Sequence, residues 1–544
     1  MMNRPLLVRS LIERAESYFP KKEVVSRSAN RIQRLTYREI GGRVRALAHA
    51  LERLGIQKGD RVGTFAWNHH RHLEAYFAVP SIGAILHTIN IRLSTDHLAY
   101  IINHAEDKII LVDVELLPAI ENIADQLRTV QTIIVMSDEI NIPSCKLQTL
   151  LNYEQLIKEA DSTFSFVQDM SEEDAAGLCY TSGTTGKPKG VVYSHRGLVL
   201  HAMALSLADT SAVSESDVSM PVVPMFHANA WGMPHAATWS GAKQVLPGPF
   251  PTPAILANLM ETENVTISAG VPTIWLGLVK ELEQKRYQLD SLRGILCGGA
   301  AAPKGMIQAF ESKYGIPFYH AYGMTETTPL ALFSRLKSYQ KQLPEAERLE
   351  LKSKQGMAVP GVEIKAVNEN GTIKNDGKEM GELLIRGPWI ADSYYKDERS
   401  EESFRDGWLY TGDVVTIDEE GFVKIVDRTK DLIKSGGEWI SSVELENALM
   451  AHEAVYEAAV VSVPHVKWQE RPVACVVLQE GYDTVVTKED LFTFLKPQFA
   501  KWWLPDTILF MDELPKTSVG KFLKTALREE VKKQLATSDD YKGD

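Results

Sequence analysis

Hydrophobic and polar residues recur in two rhythms along the first part of the chain. Residues 37–54 place apolar side chains at helical spacing, which predicts an amphipathic helix. Residues 60–65 indicate a turn followed by a strand, and the apolar run at 108–114 is typical of a buried strand. This alternation predicts a layered α/β domain. Residues 175–330 continue it, with 294–299 as a strand that runs into a glycine turn.

The pattern changes in the following part of the chain. Residues 360–427 are richer in strand patterns, with turns at 369–371 and 419–421. The stretch 335–355 is charged and helix-prone, which predicts a solvated surface helix and not a site.

Beyond residue 430 the pattern predicts a small separate domain. It indicates helices at 443–450 and 488–495, a strand at 458–463 that Pro464 stops, and a strand at 473–478. Such a unit holds about a hundred residues. A chain of 544 residues is also too long for one hydrophobic core, so at least two domains are expected.

Composition narrows the class of protein. A hydrophobic content of 44% and a charged content of 24% are ordinary for a globular protein. The net charge of −12 argues against a nucleic acid as the main partner. The cysteines are scattered, which indicates a reducing compartment and neither a zinc site nor a disulfide framework; they are Cys145, Cys179, Cys297 and Cys475.

The sequence carries no sign of export or membrane insertion. Residues 1–20 interleave arginines with glutamates and contain no apolar core of signal-peptide length. No stretch reaches the roughly 18 apolar residues that a membrane helix needs. We therefore expect a cytoplasmic protein with no membrane span, and the sequence leaves peripheral contact with a membrane open.

Residues 180–190 are the most informative stretch for function and read Tyr-Thr-Ser-Gly-Thr-Thr-Gly-Lys-Pro-Lys-Gly. Glycines let backbone N–H groups approach an anion closely, and hydroxyls and lysines add donors and charge. The Walker pattern is absent, because Gly183 and Gly186 lie three apart and a strand-like run follows at 191–194. The stretch predicts a strand–loop–strand phosphate cradle. The alternative is a flexible linker, but linkers seldom carry two lysines between apolar strands.

The loop is similar to the phosphate-binding signature of the acyl-adenylate-forming (AMP-binding) superfamily, and five further motifs follow in that family's order. They are Gly298-Gly299-Ala300-Ala301-Ala302-Pro303, Tyr322-Gly323-Met324-Thr325-Glu326-Thr327, Tyr410-Thr411-Gly412-Asp413, Asp427-Arg428-Thr429-Lys430-Asp431 and Pro515-Lys516-Thr517-Ser518-Val519-Gly520-Lys521. The resemblance covers nearly the whole chain. It is greatest to bacterial medium- and long-chain fatty acyl-CoA synthetases.

The resemblance implies the fold class and the domain division. It implies an α/β protein whose large N-terminal domain, residues 1–429, contains two sheet subdomains and a small β-barrel-like subdomain. Residues 430–544 would form a small mobile α+β domain that acts as a catalytic lid. Lys430 matches the family's hinge position, and we expect the lid to rotate about it between two half-reactions.

The resemblance also implies a two-step reaction. A carboxylate attacks the α-phosphate of ATP and pyrophosphate leaves; the thiol of coenzyme A then attacks the acyl-adenylate and AMP leaves. The first step brings an anion to a polyanion, so cations are required. Lys521 matches the family lysine that contacts the substrate carboxylate and the α-phosphate. Glu326 and Thr181 match the ligands of Mg²⁺.

The largest group of matching positions belongs to the nucleotide site. Tyr322 offers a ring for adenine. Asp413, which is predicted to follow a strand and a glycine turn, offers a carboxylate for the ribose hydroxyls, with Arg428 nearby. The residues expected to bind ATP or AMP are Thr181, Ser182, Gly183, Thr184, Thr185, Gly186, Lys189, Gly299, Ala300, His320, Ala321, Tyr322, Gly323, Thr325, Asp413, Arg428, Lys430, Lys434 and Trp439.

Two further groups match the acyl and coenzyme A sites. Trp231 matches an aromatic gate over a fatty-acyl tunnel, and Gly437 matches the lining of the pantetheine passage, which a side chain would block. The expected acyl-binding residues are His227, Ala228, Trp231, Gly299 and Gly323, and the expected CoA-binding residues are Gly436, Gly437 and Glu438. The candidate catalytic residues are Lys521, Glu326 and His227.

The substrate class follows from what the acyl segment lacks. Amino-acid-activating relatives usually place an aspartate after position 226, where this chain has His227 and then apolar or amide residues. That favours a neutral acyl tail, and the short tail after Lys521 favours free CoA as the acceptor. We expect a medium- or long-chain fatty acid. A short sulfur-containing acid such as 3-methylmercaptopropionate and an aryl acid stay open, because a pocket discriminates weakly per methylene.

An alternative hypothesis from another functional class is that the protein is a non-catalytic regulator that binds a nucleotide or an acyl group. Loss of catalysis would relax the requirement for Lys521, Glu326 and Asp413, and all three are present. The enzyme is therefore preferred, with ATP, Mg²⁺ and coenzyme A as cofactors and a small carboxylic acid as substrate. The resemblance also implies a homodimer.

Overall fold

The computed structural model of the protein describes residues 1–29, 31–139, 142, 147, 150–181, 187–435, 438–482, 485–516 and 522–537, with the backbone alone at 438, 536 and 537.

The elements of residues 1–194 are, in chain order, α1 (Arg9–Tyr18), β1 (Glu23–Arg27), β2 (Ile32–Thr36), α2 (Tyr37–Arg53), β3 (Arg61–Phe65), α3 (His70–Ser81), β4 (Ile85–Thr88), α4 (Thr95–Ala105), β5 (Asp107–Asp113), α5 (Leu117–Glu121), β6 (Thr132–Met136), β7 (Leu150–Asn152), α6 (Tyr153–Glu159), β8 (Ala175–Tyr180) and β9 (Gly190–Ser194).

The elements of residues 195–358 are α7 (His195–Leu205), β10 (Val218–Pro221), α8 (Met233–Ser240), β11 (Lys243–Leu246), α9 (Pro253–Thr262), β12 (Ile267–Gly270), α10 (Pro272–Gln284), β13 (Gly294–Cys297), α11 (Lys304–Gln308), β14 (Phe318–Gly323), β15 (Leu330–Phe333), α12 (Glu345–Ser353) and β16 (Met357–Ala358).

The elements of residues 363–537 are β17 (Glu363–Asn368), β18 (Gly371–Thr372), β19 (Gly381–Arg386), α13 (Ser400–Ser403), β20 (Phe404–Arg405), β21 (Trp408–Ile417), β22 (Val423–Arg428), β23 (Ile433–Ser435), β24 (Glu438–Ile440), α14 (Ser442–Met450), β25 (Val455–His465), β26 (Gln469–Leu478), α15 (Lys488–Leu495), β27 (Thr507–Phe510) and α16 (Lys524–Thr537).

Two large sheets form the main body of the protein. One has seven strands in the order β7-β6-β5-β3-β4-β8-β9, and the other has nine in the order β16-β15-β14-β13-β12-β10-β11-β1-β2. Both are parallel in their interior, with antiparallel pairs at their edges. Continuous apolar runs such as the one in β6 suit this arrangement, because a central parallel strand is covered on both faces.

Helices fill the space between the two large sheets. All twelve residues of α3 are buried, so this helix is enclosed on every side. One core cluster joins side chains of both sheets, with Val62 and Leu111 from the first and Val24 and Leu246 from the second. The amphipathic α2 packs into the same core and begins with a capping box between Thr36 and Glu39. The helix predicted at 37–54 is confirmed.

Two smaller sheets complete the protein. The first is antiparallel, runs β18-β17-β19-β21-β20 with β22 on β21, and occupies the place of the expected barrel-like subdomain. The second runs β24-β23-β26-β25 with β27 on β26 and begins five residues after β22 ends. The α/β fold class with a small C-terminal unit is therefore confirmed. Throughout the described ranges, each helix is too short or too polar to span a bilayer.

Three local predictions are wrong. The strand at 458–463 is not stopped by Pro464, because β25 continues to His465 and Pro464 pairs with Glu470. β25 is an edge strand, where a residue without an N–H is tolerated. The next strand is correspondingly longer than 473–478. Asp413 does not follow a strand but lies within β21, where Gly412 takes a left-handed φ of 72°.

Two of the predicted motifs lie at the carboxyl ends of neighbouring strands in the nine-stranded sheet. In an open parallel sheet, ligands bind beyond the carboxyl ends of the strands, where loops from neighbouring strands meet. Gly299 follows β13 and Glu326 follows β14, so the fold brings the second and third motifs together. Tyr193 of β9 donates to Thr325 O at 2.7 Å, which attaches the other large sheet at the same place.

Candidate active site

The base of the phosphate loop is a two-stranded hairpin. β8 and β9 pair in antiparallel fashion, which confirms the predicted strand–loop–strand arrangement. Thr181 N donates to Lys189 O at 2.9 Å, and Lys189 N donates to Thr181 Oγ1 at 3.1 Å. The expected nucleotide-binding residues Ser182, Gly183, Thr184, Thr185 and Gly186 lie outside the described residues.

Lys189 presents a half-buried cation beside this base. Its ammonium nitrogen lies 4.0 Å from the centroid of the Tyr394 ring, a cation–π contact. Burial lowers the pKa of Lys189, and the nearby carboxylate of Glu326 opposes that shift. A positive charge is therefore held close to a negative one at the start of β9.

Two hydrogen bonds hold the buried residue Glu326 in place. It lies in a 3₁₀ turn at Thr325–Thr327 and is only 5% exposed. The Tyr394 hydroxyl donates to Glu326 Oε1 at 2.7 Å, and Ala391 N donates to Glu326 O at 2.8 Å. Tyr394 thus contacts both Lys189 and Glu326 and joins the phosphate loop to the acidic turn.

The donor set of this turn fits magnesium bound to a nucleotide. Mg²⁺ prefers one or two protein oxygens, with phosphates and water as its other ligands. Glu326 supplies a buried carboxylate held in place by Tyr394, and Thr181 supplies a hydroxyl oxygen at the loop base. Among the described residues, no group of three or more histidine, cysteine or acidic side chains could hold a metal alone. A Mg²⁺ ion held by Glu326 and Thr181 would take its other ligands from nucleotide phosphates and water.

A second acidic group is preorganised where the ribose is expected. The Tyr322 hydroxyl donates to Asp413 Oδ2 at 2.5 Å, and Arg428 Nε lies 3.2 Å from Asp413 Oδ1. Asp413 is 4% exposed. Burial and then Asp413 raise the pKa of the Tyr322 phenol well above its usual range, and Asp413 raises the pKa of Arg428. The three side chains form one hydrogen-bonded and ion-paired unit between β14, β21 and β22.

Close backbone packing brings the ends of β13 and β14 together. A Cβ on Gly323 would lie 1.6 Å from Pro329 O, and one on Gly298 would lie 2.8 Å from Ala321 O. His320 is buried, with Nε2 3.3 Å from Ala300 O and Nδ1 3.1 Å from Ser353 O. The sequence motifs that contain these residues therefore meet in space as predicted.

The segment that contains the predicted acyl residues has an unusual backbone. Residues Ala228, Asn229, Ala230 and Trp231 take successive φ values of 42°, 54°, 48° and 56°, and Gly232 follows at 73°. A left-handed turn of four non-glycine residues costs roughly 1–2 kcal/mol per residue. Such strain persists only where packing over-determines it, and it is concentrated at functional sites.

An apolar cavity of about 240 Å³ lies beside this left-handed turn. Its walls are Trp67, Asn68, Arg92, Val222, Val223, Pro224, His227, Trp231, Pro247, Gly248, Phe250, Pro251, Leu256, Val271, Ile274 and Gly299. The structure therefore places three of the predicted acyl residues, His227, Trp231 and Gly299, on one cavity. Ala228 is buried within the turn, and Gly323 lies at the end of β14.

The predicted residues of the C-terminal unit are described only in part. Lys434 and Trp439 pair across β23 and β24, with the ammonium nitrogen 5.4 Å from the indole centroid, and Trp439 is 45% exposed. Lys430 is exposed in the turn between β22 and β23. The CoA candidates Gly436 and Gly437 and the catalytic candidate Lys521 lie outside the described residues, and Glu438 is described by its backbone alone.

Comparison with known proteins places this geometry in a family. The model of the AMP-binding enzyme family matches residues 12–395, and the model of the AMP-binding enzyme C-terminal domain matches residues 444–521. The chain belongs to the AMP-binding enzyme family. The resemblance inferred from the motifs is thereby confirmed.

Individual relatives of this AMP-binding enzyme span its full length. A long-chain-fatty-acid–CoA ligase of Thermus thermophilus is 51% identical over 98% of this chain and 97% of its own. A 3-methylmercaptopropionyl-CoA ligase of Ruegeria lacuscaerulensis is 44% identical over 98% and 99%. A medium-chain-fatty-acid–CoA ligase of Ectopseudomonas oleovorans is 42% identical over 97% and 96%.

A solved structure matches the fold as a whole. The crystal structure of the anthranilate CoA ligase AuaEII in complex with anthranoyl-AMP has a TM-score of 0.87 and 27% sequence identity. The match covers 98% of this chain and 99% of that one.

Sequence reasoning missed the segment 389–399, which braces the site of this AMP-binding enzyme. Besides the Tyr394 hydrogen bond to Glu326, Tyr395 N donates to Gly190 O at 2.8 Å and Arg399 Nη1 donates to Lys187 O at 3.2 Å. The aromatic pair Tyr394-Tyr395 in a polar stretch was the available signal. Its partners lie tens to hundreds of residues away, so spacing alone could not assign them.

Proposed function

We propose that this AMP-binding enzyme is an ATP-dependent acyl-CoA synthetase that activates a medium- or long-chain fatty acid through an acyl-adenylate. The observation that carries the proposal is the position of the loop after β13, which lies between the apolar cavity and the predicted nucleotide site. Gly299 lines the apolar cavity, while Ala300 O contacts His320 on β14, the strand that also carries Tyr322. A carboxylate at the end of an apolar tail would therefore meet the nucleotide at this loop.

The adenylation step requires cations around the α-phosphate. Lys189, held over Tyr394, supplies one at the base of the phosphate loop, and Lys521 supplies the second from the C-terminal unit. Preorganised charges aimed at developing charge in a dry site are worth roughly 3–4 kcal/mol each. Glu326 and Thr181 would hold Mg²⁺, which would supply positive charge to the phosphates.

Nucleoside recognition falls to the unit around Asp413. Its carboxylate is already fixed by Tyr322 and Arg428, so it accepts hydrogen bonds from the ribose hydroxyls without reorganisation. The Tyr322 ring provides the stacking surface for adenine. Lys434 and Trp439 reach the nucleotide when the C-terminal unit closes.

The thioester step uses another face of the same small domain. Gly436, Gly437 and Glu438 line the passage of the CoA thiol, and Lys430 is the hinge between domains 1–429 and 430–544. Several side-chain contacts join the two sides of this hinge in the present orientation. Ser441 Oγ donates to Val426 O at 2.5 Å, Ser442 Oγ donates to Asp427 Oδ2 at 2.5 Å, and Lys424 Nζ lies 2.7 Å from Glu444 Oε1. A rotation about Lys430 exchanges these contacts for others.

The wall of the cavity supports a neutral, apolar substrate tail. Its side chains are mostly branched aliphatic, proline and aromatic. The amide of the polar lining residue Asn68 is already hydrogen-bonded: its nitrogen donates to Pro221 O and Val223 O, and its oxygen accepts from Met225 N. The three relatives described above carry long, medium and sulfur-containing short acids in their names, so 3-methylmercaptopropionate remains the alternative substrate. The enzyme acts in the cytoplasm as a homodimer.

The test is pyrophosphate release with saturated acids from C2 to C18, with 3-methylmercaptopropionate and benzoate beside them. We expect activity that depends on ATP, Mg²⁺ and acid, with its maximum within the fatty acid series. A maximum at the sulfur-containing acid or at benzoate would reassign the substrate. Release with none of the acids would instead favour a non-catalytic regulator.

A further inference from the structure

The far wall of the acyl cavity is a proline-rich loop, residues 247–251, that follows β11. Arg27 Nη1 donates to Pro247 O at 3.0 Å and to Pro249 O at 2.6 Å. Gly248 N donates to Asn68 O at 2.9 Å, and a Cβ on Gly248 would lie 2.0 Å from Arg27 O. The backbone of this loop is therefore clamped to β1 on one side and to the segment after β3 on the other.

Phe250 stands out within this clamped loop. Its φ is 49°, in the left-handed region that a bulky residue rarely adopts, and prolines flank it on both sides. The side chain lines the cavity and is nevertheless 64% exposed to solvent. Its ring rests on the indole of Trp67, with centroids 4.9 Å apart and an interplanar angle of 54°. A strained backbone that holds an exposed aromatic ring over a cavity points to a role in function.

The cavity has two distinct ends. Gly299 follows β13, and the 247–251 loop follows β11, with β12 and β10 between them in the sheet. Three interstrand spacings of about 4.8 Å separate these ends by roughly 14 Å. The Gly299 end adjoins the nucleotide site, so an acyl tail must run toward Phe250. At about 30 Å³ per water-sized group, a cavity of 240 Å³ holds about eight such groups.

We propose that Phe250, supported by Trp67, is the stop that closes the far end of the acyl cavity and limits the tail to medium length. This inference rests on the proposed synthetase function and specifies its substrate. Tails of about eight carbons fill the cavity, and longer tails collide with the Phe250 ring. Because the outer face of that ring is in solvent, its removal opens the cavity outward and leaves the reacting end unchanged.

The experiment measures kcat/KM for saturated acids from C4 to C16 in the wild type, Phe250→Ala and Phe250→Trp. We expect a wild-type maximum near C8. Phe250→Ala should raise the C14 to C8 ratio of kcat/KM at least tenfold. Phe250→Trp should shift the maximum toward shorter acids. Tyr18→Ala, at another exposed aromatic, is the matched control and should keep the wild-type profile.

Equilibrium binding supplies a second readout that does not depend on turnover. Non-hydrolysable acyl-adenylate analogues with C8 and C14 tails, titrated calorimetrically, should show the same change in selectivity for Phe250→Ala. Unchanged ratios in this variant, or a wild type that already prefers C14 to C16, would overturn the stop while the synthetase assignment stands. A wild type that is inactive with every acid and binds neither analogue overturns both.

Discussion

At the scale of single residues, the site depends on side chains that connect other functional groups. Tyr394 is the clearest case, because one ring holds Lys189 by its face and Glu326 by its hydroxyl. Buried polar groups act in the same way elsewhere in the protein. His201 accepts a hydrogen bond from Leu330 N at 3.1 Å and keeps its ring neutral deep in the core.

Replacing Tyr394 by phenylalanine tests the connection between the phosphate loop and Glu326, the proposed metal ligand. The ring over Lys189 stays, but Glu326 loses a hydrogen bond to a charged group, worth about 1.5–3 kcal/mol. We expect kcat for adenylation to fall by about tenfold or more and the Mg²⁺ concentration for half-maximal rate to rise, measured by pyrophosphate release. Tyr395→Phe is the control, because that residue contacts the loop through its backbone. Equal effects of the two variants would contradict the role given to Tyr394.

The buried histidines predict a loss of stability in mild acid. Burial lowers the pKa of His201 to about 3 and that of His235 to about 4, against a usual value near 6.5. Below pH 6.5 these histidines therefore bind protons in the unfolded chain but not in the folded one. The free energy of unfolding falls as the pH drops from 7 toward 4. At pH 5.5 each histidine costs about 1.4 kcal/mol.

Urea unfolding at pH 7.5 and 5.5 measures this effect. His201→Gln retains an acceptor for Leu330 N and should lose about 1 kcal/mol of the pH dependence. His97→Gln, at a partly exposed position in α4, should keep the wild-type dependence. The same pH dependence in all three proteins would show that His201 does not titrate as its burial requires.

At the scale of elements, sequence patterns predicted periodic structure and missed what tertiary contacts decide. The helix at 37–54 has its own apolar stripe and capping box, so local sequence suffices for it. The continuation of β25 through Pro464 depends on its edge position, which is a property of the sheet. The turn 228–232 contains a single glycine, so the residue types present do not predict a left-handed backbone over its whole length. The phosphate loop was predicted because glycines, hydroxyls and lysines cluster there in sequence.

Strain in the left-handed turn predicts an unusual effect of glycine. Ala230 is fully buried at φ 48°, where glycine avoids a penalty of roughly 1–2 kcal/mol but adds about 0.5–1 kcal/mol of unfolded-state entropy. Ala230→Gly should therefore raise the free energy of unfolding by about 0.5–1 kcal/mol. The same substitution at Ala236, inside the right-handed α8, should lower it by about 1 kcal/mol. Destabilisation by both substitutions would show that the turn is not strained.

At the scale of the whole molecule, we propose that the reaction is divided between two faces of the C-terminal unit. The sequence placed Lys521 and Gly437 on one small domain, and the structure gives that domain its own sheet. In the proposed mechanism the two residues serve different half-reactions, so the domain would present them in turn. The family motifs could predict these roles, whereas the contacts that cross Lys430 could come only from the structure.

Lys521→Ala should separate the half-reactions. We expect adenylate formation from ATP and acid to fall at least a hundredfold, while thioester formation from supplied acyl-adenylate and CoA stays within about threefold of wild type. Lys516→Ala is the matched control in the same motif, because Lys516 pairs with Glu457 at 2.5 Å within the small domain. Equal loss of both half-reactions in Lys521→Ala would argue against the division of labour.

The most direct test of the central claim is a single-turnover experiment with ATP, Mg²⁺ and octanoate in the absence of coenzyme A. The account predicts a burst of one pyrophosphate per active site, with octanoyl-adenylate held on the protein. Later addition of coenzyme A should release AMP and octanoyl-CoA together. Formation of ADP and inorganic phosphate, or thioester formation with no adenylate preceding it, would contradict the account.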